Sequence, residues 1–396
     1  MSPEPKLPGA LDRLPLGKVL ALFAAGLLGI LNETVPAGLL PEIARGLRVS
    51  ESAAGQIITV YAIATALTAI PLNAVLRRYS RRGLLFGSLI AFAICNLVPV
   101  VSTSYVLILG ARILGGVGAG LIWSNIGAYA ARVSPPALQG RAVALALAGT
   151  PIALAIGLPL GTFLGRAAGW QAAFALTAIL CVLVAAWTLV SLPRLSTVDS
   201  THVPFRQIVR QRGVSTILWV VAGFLVAHNL VYTYVGSLIA EAGVGDQVQW
   251  VLATFGVAAL LSIGVTGRLL HPHHRTLTIV SAAAIGSGLL LLCLSGSHPA
   301  LLYVGVAVWG LGFGGCATLF ITAATRAAGN DDVQAAVVTV FNISIAIGGA
   351  AGGILLATVG TEGLLWLAIA LMVTATVTVL KSTHGFPSWK PATSTD

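Results

Sequence analysis

Between Lys18 and Lys381 the chain contains no lysine. Of its 396 residues, 57% are hydrophobic and 9% charged, against about 25% charged in an ordinary soluble domain. So little charge cannot cover the surface of a water-soluble fold, and hydrocarbon must be the solvent for much of the chain. The mean hydropathy of +0.94 agrees. The same gap rules out a phosphate-cradling GxxxxGK[ST] loop, and none of Lys6, Lys18, Lys381 and Lys390 forms one. ATP hydrolysis by that route is excluded for this chain, though not for a separate subunit.

Apolar runs of about 20 residues, enough to cross a bilayer as a helix, fall at 18–44, 52–76, 83–102, 104–132, 139–165, 169–192, 215–241, 248–270, 276–296, 299–327, 333–358 and 362–381. They predict an all-α membrane protein with twelve transmembrane helices. The first run is too long for a signal-peptide core and is read as a span. The longest polar gap, 193–214, divides the spans six and six. The expected organisation is a tail at 1–17, a six-helix bundle at 18–192, a linker at 193–214, a second bundle at 215–381 and a tail at 382–396. Within the linker, Phe205, Ile208 and Val209 alternate with Arg206, Arg210 and Arg212. This reads either as a short helix on the membrane surface or as a disordered basic strap.

With the N-terminus inside, eighteen basic residues fall in inside gaps and three, Arg45, Arg48 and Arg166, outside; Arg112 lies within a span. That asymmetry predicts an inner-membrane protein with both termini cytoplasmic. It also accounts for the net charge of +10, so the lipid bilayer is the expected partner and nucleic acid is not. Cys95, Cys181, Cys293 and Cys316 each lie in an apolar run without a CxxC or a histidine at ligand spacing. They read as small apolar side chains; no metal and no cofactor is expected. HPHHR at 271–275 is too short to argue a metal site.

The two halves repeat weakly. Gly116, Gly118 and Gly120 recur as Gly310, Gly312 and Gly314, and Gly169 as Gly363, at an offset of 194. Nearer the start the offset is 197, pairing Gly26 with Gly223 and Asn32 with Asn229. Two pseudo-symmetric six-helix bundles of this kind form a substrate site at the midplane between them. In the fifth run Gly149, Ala153, Gly157, Gly161 and Gly165 stand four residues apart, one smooth stripe on a helix. Gly348/Gly352 and Gly349/Gly353 repeat the device in the eleventh run. Such stripes let a neighbouring backbone approach closely in lipid, either as static packing or as a sliding contact between halves. Pro151 and Pro159 each remove a backbone donor and predict kinks in the fifth helix.

Four segments make a resemblance visible. LNETVPAGLLPEIARGLRVS at 31–50 resembles the first span and following loop of the twelve-span drug/proton antiporters of the major facilitator superfamily, in the branch of sugar, purine-nucleoside and chloramphenicol exporters. LILGARILGGVGAG at 107–120 is similar to that family's fourth-span motif through Arg112, Gly116, Gly118 and Gly120. GTPIALAIGLPLGTFLGRAAGW at 149–170 resembles its fifth-span signature. NAVLRRYSRR at 73–82 occupies the place of its loop motif and keeps Arg78, Arg81 and Arg82. Asn73, Arg77 and Ser80 depart from the pattern by replacing a glycine, an aspartate and a glycine. In the family that aspartate belongs to a cytoplasmic charge latch, which the substitution puts in question. The resemblance implies the major facilitator fold and a transporter rather than an enzyme.

Only Glu33 is acidic deep within a predicted span. A charge at the centre of a span costs about 2.5–3.5 kcal/mol on insertion scales, so it faces a cavity or a partner. Low dielectric favours the neutral carboxyl, which makes Glu33 the candidate proton-coupling group. The competing reading is a structural acid held by Asn32, Thr34 or a neighbouring span. By resemblance Arg112 joins the proton relay; otherwise it is an arginine satisfied by carbonyls or snorkelling. Asn32, Trp123, Asn125, His228, Asn229, Tyr232, Tyr234 and Asn342 are polar or aromatic near mid-membrane. They are candidate substrate contacts, with interhelical hydrogen bonding as the alternative. The expected function is export of a small organic solute by alternating access, in exchange for protons, by a monomer. A proton-independent facilitator, an importer, and a non-transporting scaffold or sensor are the alternatives. One embedded acid with no acidic partner in the second half argues for a neutral or weakly charged cargo over a polyvalent cation.

Overall fold

A computed structural model describes residues 14–76, 79–195, 205–296, 298–328, 333–382 and 384–386. Arg77 and Arg78 of the loop motif, most of both tails and residues 196–204 of the linker lie outside the described residues. Among those described, every regular element is helical.

The first half contains α1 (Leu16–Gly38), α2 (Leu40–Leu47), α3 (Glu51–Val75), α4 (Arg81–Val101), α5 (Tyr105–Arg132), α6 (Gln139–Leu147), α7 (Gly149–Ile152), a π-helical turn (Ala153–Gly157), α8 (Leu158–Ala168) and α9 (Trp170–Ser191). A short α10 (Phe205–Val209) follows in the linker, so these residues of that segment are helical, with Ile208 buried. The other half contains α11 (Val214–Tyr232), α12 (Val235–Glu241), α13 (Val248–Ser295), α14 (Pro299–Phe313), α15 (Cys316–Ala328) and α16 (Val333–Lys381).

Ten stretches are long and apolar enough to cross a membrane. One of them, 336–381, has 46 residues. At about 1.5 Å per residue it would reach roughly 69 Å, more than twice the hydrocarbon thickness. It is broken at Gly360, whose φ of 70° no side-chain-bearing residue adopts cheaply. Counting both parts, and adding the 25 residues of α3, gives twelve spans. The second break thus falls at Gly360, not at Gly363, as the true counterpart of Gly169 (φ 94°). α13 likewise folds back at His273, which separates the eighth and ninth spans.

The first and seventh apolar runs prove to be composite in the same way. The first ends at Gly38 and restarts at Leu40, and the seventh ends at Tyr232 and restarts at Val235. The hinge residues Leu39 (φ −122°, ψ 16°) and Tyr234 (φ −110°, ψ 20°) share one conformation. Hydropathy cannot register these breaks because the residues on both sides are apolar.

The repeated glycines pack alike in both halves. A Cβ on Gly116 would strike the Tyr61 carbonyl oxygen in the second span, and one on Gly118 would lie 3.0 Å from Ser88 O in the third. A Cβ on Gly310 would lie 2.5 Å from Phe255 O in the eighth span, and one on Gly312 would lie 2.7 Å from Ser281 O in the ninth.

The glycine stripe of the fifth span does not form the sliding contact between halves. It packs within its own half along α1. A Cβ on Gly149 would meet Phe23 O at 2.5 Å, on Gly157 Leu31 Cδ2 at 2.8 Å, on Gly161 Val35 Cγ2 at 3.3 Å and on Gly165 Leu39 Cδ1 at 2.5 Å. The partners, like the glycines, recur in steps of four residues, so the glycine stripe receives a ridge of larger α1 residues in register. The kinks expected at Pro151 and Pro159 take the form of the π turn between them, where Leu158 N bonds to Ala153 O. Pro159 offers no N–H to Ala155 O, and the widened turn accommodates that loss.

Gly256 of α13 packs on this π turn, with Leu154 O 2.7 Å from its notional Cβ. A Cβ on Gly349 of α16 would lie 2.5 Å from Thr59 Oγ1 of α3, and one on Gly353 would lie 2.7 Å from the Tyr234 hydroxyl and 2.9 Å from Gln56 and Ser52 of α3, while Gly348 and Gly352 face Asn229 and Tyr234 of their own half. The glycine contacts between halves therefore lie towards the end opposite the termini. There Arg166 Nη1 donates to Gly245 O and pairs with Glu42 at 3.5 Å. Large apolar side chains such as Val190 (88% exposed) and Trp219 (63%) line the outer surface, as lipid contact requires.

Gly149→Val should lower the thermal unfolding midpoint in detergent by the equivalent of about 1–3 kcal/mol, because both nearest atoms, Phe23 O and Leu27 N, are backbone. Gly161→Ala, which meets only a valine methyl at 3.3 Å, should change it much less. Equal losses would contradict the packing assigned to the stripe.

Candidate functional site

α1, α3, α4 and α5 converge on Arg112, which has no exposed surface. Its Nη1 donates to Asn32 O at 2.6 Å and its Nε to Ile57 O at 3.1 Å. Its Cζ stands 4.4 Å from the centroid of the Tyr61 ring, a cation–π contact, and Cys95 Sγ is 3.8 Å from Nη1. Nη2 has no hydrogen-bond partner. Asn32 closes the network: its Oδ1 accepts from Asn96 Nδ2 at 2.6 Å and its Nδ2 donates to the Tyr61 hydroxyl at 3.3 Å. Asn32 thus sits in an interhelical network.

Glu33, the next residue, is half-buried and makes no ion pair with Arg112 within 4 Å. The Arg112 charge nonetheless bears on it, and Glu33 in turn acts electrostatically on Tyr61 and on Tyr232 of α11. Trp123 of α5 packs against Gly29 at 3.4 Å, one helical turn below Glu33.

On the opposite side five rings meet. His228 stacks on Phe313 with centroids 3.7 Å apart and on Tyr232 at 4.8 Å. Phe255 lies 5.3 Å from Tyr232 and 5.0 Å from Trp309. The rings come from α11, the eighth-span part of α13, and α14. Three polar atoms in this cluster have no partner: His228 Nδ1, the Tyr232 hydroxyl and Trp309 Nε1. All three residues are at least nine-tenths buried. Each such orphan costs about 1–3 kcal/mol unless something in the site meets it.

The remaining candidates are dispersed. Asn125, Asn229 and Asn342 each donate from Nδ2 to the carbonyl four residues back, on Leu121, Leu225 and Val338. Tyr234 lies apart from the ring cluster, its hydroxyl donating to Gly349 O at 2.8 Å beside Gly55 at the closed end. Arg81 is buried at the start of α4. Sequence reasoning missed Tyr61, Asn96, Phe255, Trp309 and Phe313. Asn96, a lone amide in the run AICNLV, carried a readable signal; the aromatics did not, since a ring in an apolar run fits lipid as well as it fits a site.

A twelve-span fold of two packed halves, with a buried arginine, a facing acid and an aromatic cluster at mid-depth, is that of a membrane transporter. Residues 22–336 match the family model of the Major Facilitator Superfamily, and the chain belongs to that family. It is 29% identical over 350 residues to a chloramphenicol efflux pump of Mycobacterium tuberculosis, with 84% of each chain covered. It is 29% identical to a purine ribonucleoside efflux pump of Escherichia coli (89% of this chain, 92% of the relative). A probable sugar efflux transporter of Pasteurella multocida is 25% identical, with 90% of each covered. In fold it is similar to the xylose transporter XylE from E. coli in a partially occluded inward-open conformation, with TM-score 0.71, 16% identity and coverage of 93% and 97%.

Asn96→Leu should destabilise the protein by about 1–3 kcal/mol, because Asn32 Oδ1 is left buried without its donor. Tyr61→Phe keeps the ring beneath Arg112 and should cost less. Chemical or thermal unfolding of both variants in one detergent checks the order.

Proposed function

We propose that this protein exports a small, uncharged or weakly charged organic solute in exchange for protons by alternating access, with Glu33 as the proton-coupling group. The observation that carries the reading is the position of Glu33: half-buried in α1, beside the buried Arg112 and in electrostatic reach of Tyr232 on the other half. A carboxylate there is attracted to Arg112 and acts electrostatically on Tyr232 of the other half. A neutral carboxyl gives up both interactions. Protonation thus changes the interaction between halves, which a ligand must do to shift a conformational equilibrium.

The ring cluster supports a cargo with a flat or apolar face and a few hydrogen-bonding groups. Trp309 Nε1 can only donate, Tyr232 donates or accepts, and His228 Nδ1 does either according to tautomer. None of the five rings carries a fixed charge, which disfavours a strongly charged cargo. The names of the relatives, which cover chloramphenicol, sugars and purine ribonucleosides, agree with export and with this size of solute. Substrate and proton need not meet; they need only prefer different states. One proton moving down 100 mV releases about 2.3 kcal/mol, enough to hold roughly a 50-fold solute gradient.

The basic asymmetry supports cytoplasmic termini in a cell (inner) membrane. With that orientation the contacts at the far end correspond to a state closed to the outside. A monomer suffices, since both halves of the site come from one chain.

In proteoliposomes loaded with chloramphenicol, a sugar or a purine nucleoside, an imposed pH gradient should drive uphill flux of the true cargo by wild type. Glu33→Gln should abolish uphill flux while leaving membrane yield and cargo exchange intact. Undiminished uphill transport by that variant would rule out the coupling role; flux that ignores pH in both proteins would identify a facilitator. Tyr232→Phe and Trp309→Phe should raise the KM for cargo about 5- to 30-fold, as expected for losing one hydrogen bond to a buried group.

A further inference from the structure

At the end that carries the termini, Arg81, Arg82 and Arg132 lie within electrostatic reach of the phenol of Tyr129. Arg82 is committed: its Nη1 donates to Leu189 O at 3.0 Å and Leu192 O at 3.3 Å, closing the end of α9. The Tyr129 hydroxyl is committed too, donating to Pro193 O at 2.6 Å. Arg81 is different. Its main-chain N–H bonds to Leu195 O at 2.9 Å, but its side chain, 8% exposed, leaves Nε and Nη1 without any partner. Arg132, the last residue of α5, acts on it as a like charge.

No acidic residue among those described stands at this end; Glu4, Asp12, Asp199, Asp331, Asp332 and Asp396 lie outside the described residues. By the alternation of the spans, Glu42, Glu51, Glu241, Asp246 and Glu362 lie at the far end and Glu33 at mid-depth. A buried guanidinium with two idle donors and like-charged neighbours is costly on its own. It is stabilised by an anion that accepts several N–H bonds at once, and phosphate oxygens suit arginine best. The start of α4 adds the partial positive charge of a helix N-terminus to the same place. The cluster stands at the start of α4 and the ends of α5 and α9, the terminal turns of three spans.

We infer that Arg81, with Arg132 and Arg82 beside it, forms a binding site for a phosphate-bearing anion, either the headgroup of an anionic phospholipid or inorganic phosphate. The site lies away from Glu33 and the ring cluster and does not depend on which solute is transported.

The test is made on the purified full-length protein. Native mass spectrometry with mixed micelles of phosphatidylglycerol and phosphatidylcholine should show one phosphatidylglycerol retained about tenfold more strongly, as one or two arginine contacts supply. In lipid-stripped detergent, inorganic phosphate at matched ionic strength should raise the unfolding midpoint above that in chloride if the free ion also enters. Displacement of the bound lipid by phosphate shows that both sources share the site; retention of lipid against phosphate shows that the headgroup is the ligand. Arg81→Gln should abolish the lipid preference and any phosphate response. Should that variant fail to fold, Arg132→Gln should reduce both severalfold. Equal retention of the two lipids with no phosphate response, or an unchanged preference in the variants, would overturn the proposal.

Discussion

Arg112 holds the first half together because it has nowhere else to put its charge. A guanidinium without exposed surface in the middle of a span must be met by protein, and here it is met by two main-chain carbonyls and the face of a tyrosine. Those partners belong to α1 and α3, while Asn96 ties α4 to the same point through Asn32. Four helices are therefore registered against one side chain. Its attraction for Glu33 follows from that placement, since the acid is the residue next to the carbonyl that Arg112 grips.

The glycines place the helices around that point. In hydrocarbon no gain comes from hiding apolar surface, so close packing must supply the adhesion. The fourth and tenth spans use matching glycines against matching neighbours, which makes each half rigid in the same way. The seam between halves is built differently. It uses Gly256 against a π turn and Gly349 and Gly353 against small polar side chains of α3.

Much of this was legible in the chain. The twelve runs correspond to the twelve spans, because each must satisfy its backbone inside hydrocarbon and so declares itself by length and hydropathy alone. Glu33 and Arg112 stood out because charges at mid-span are rare. In sequence Asn32 and Trp123 read as candidate substrate contacts; the structure sets Asn32 in an interhelical network with Asn96 and Tyr61 and Trp123 beside Gly29, neighbours that the sequence did not indicate. The breaks at Leu39 and Tyr234 were invisible within unbroken apolar sequence. The fifth-span stripe was evident as a stripe, yet its partner could have been α1 or the opposite half.

Residence in the membrane, the number of spans, the repeat and the rarity of Glu33 were determined by the sequence by itself, since the bilayer acts on every window of the chain independently of what that window later touches. Tertiary structure alone decided which neighbour each glycine ridge meets, which carbonyls receive Arg112, that five rings from three helices share one place, and that Arg81 is left with unused donors. These depend on the rotation of each helix about its own axis and on its choice of neighbour. Neither is written in hydrophobic periodicity when every face of a helix is apolar.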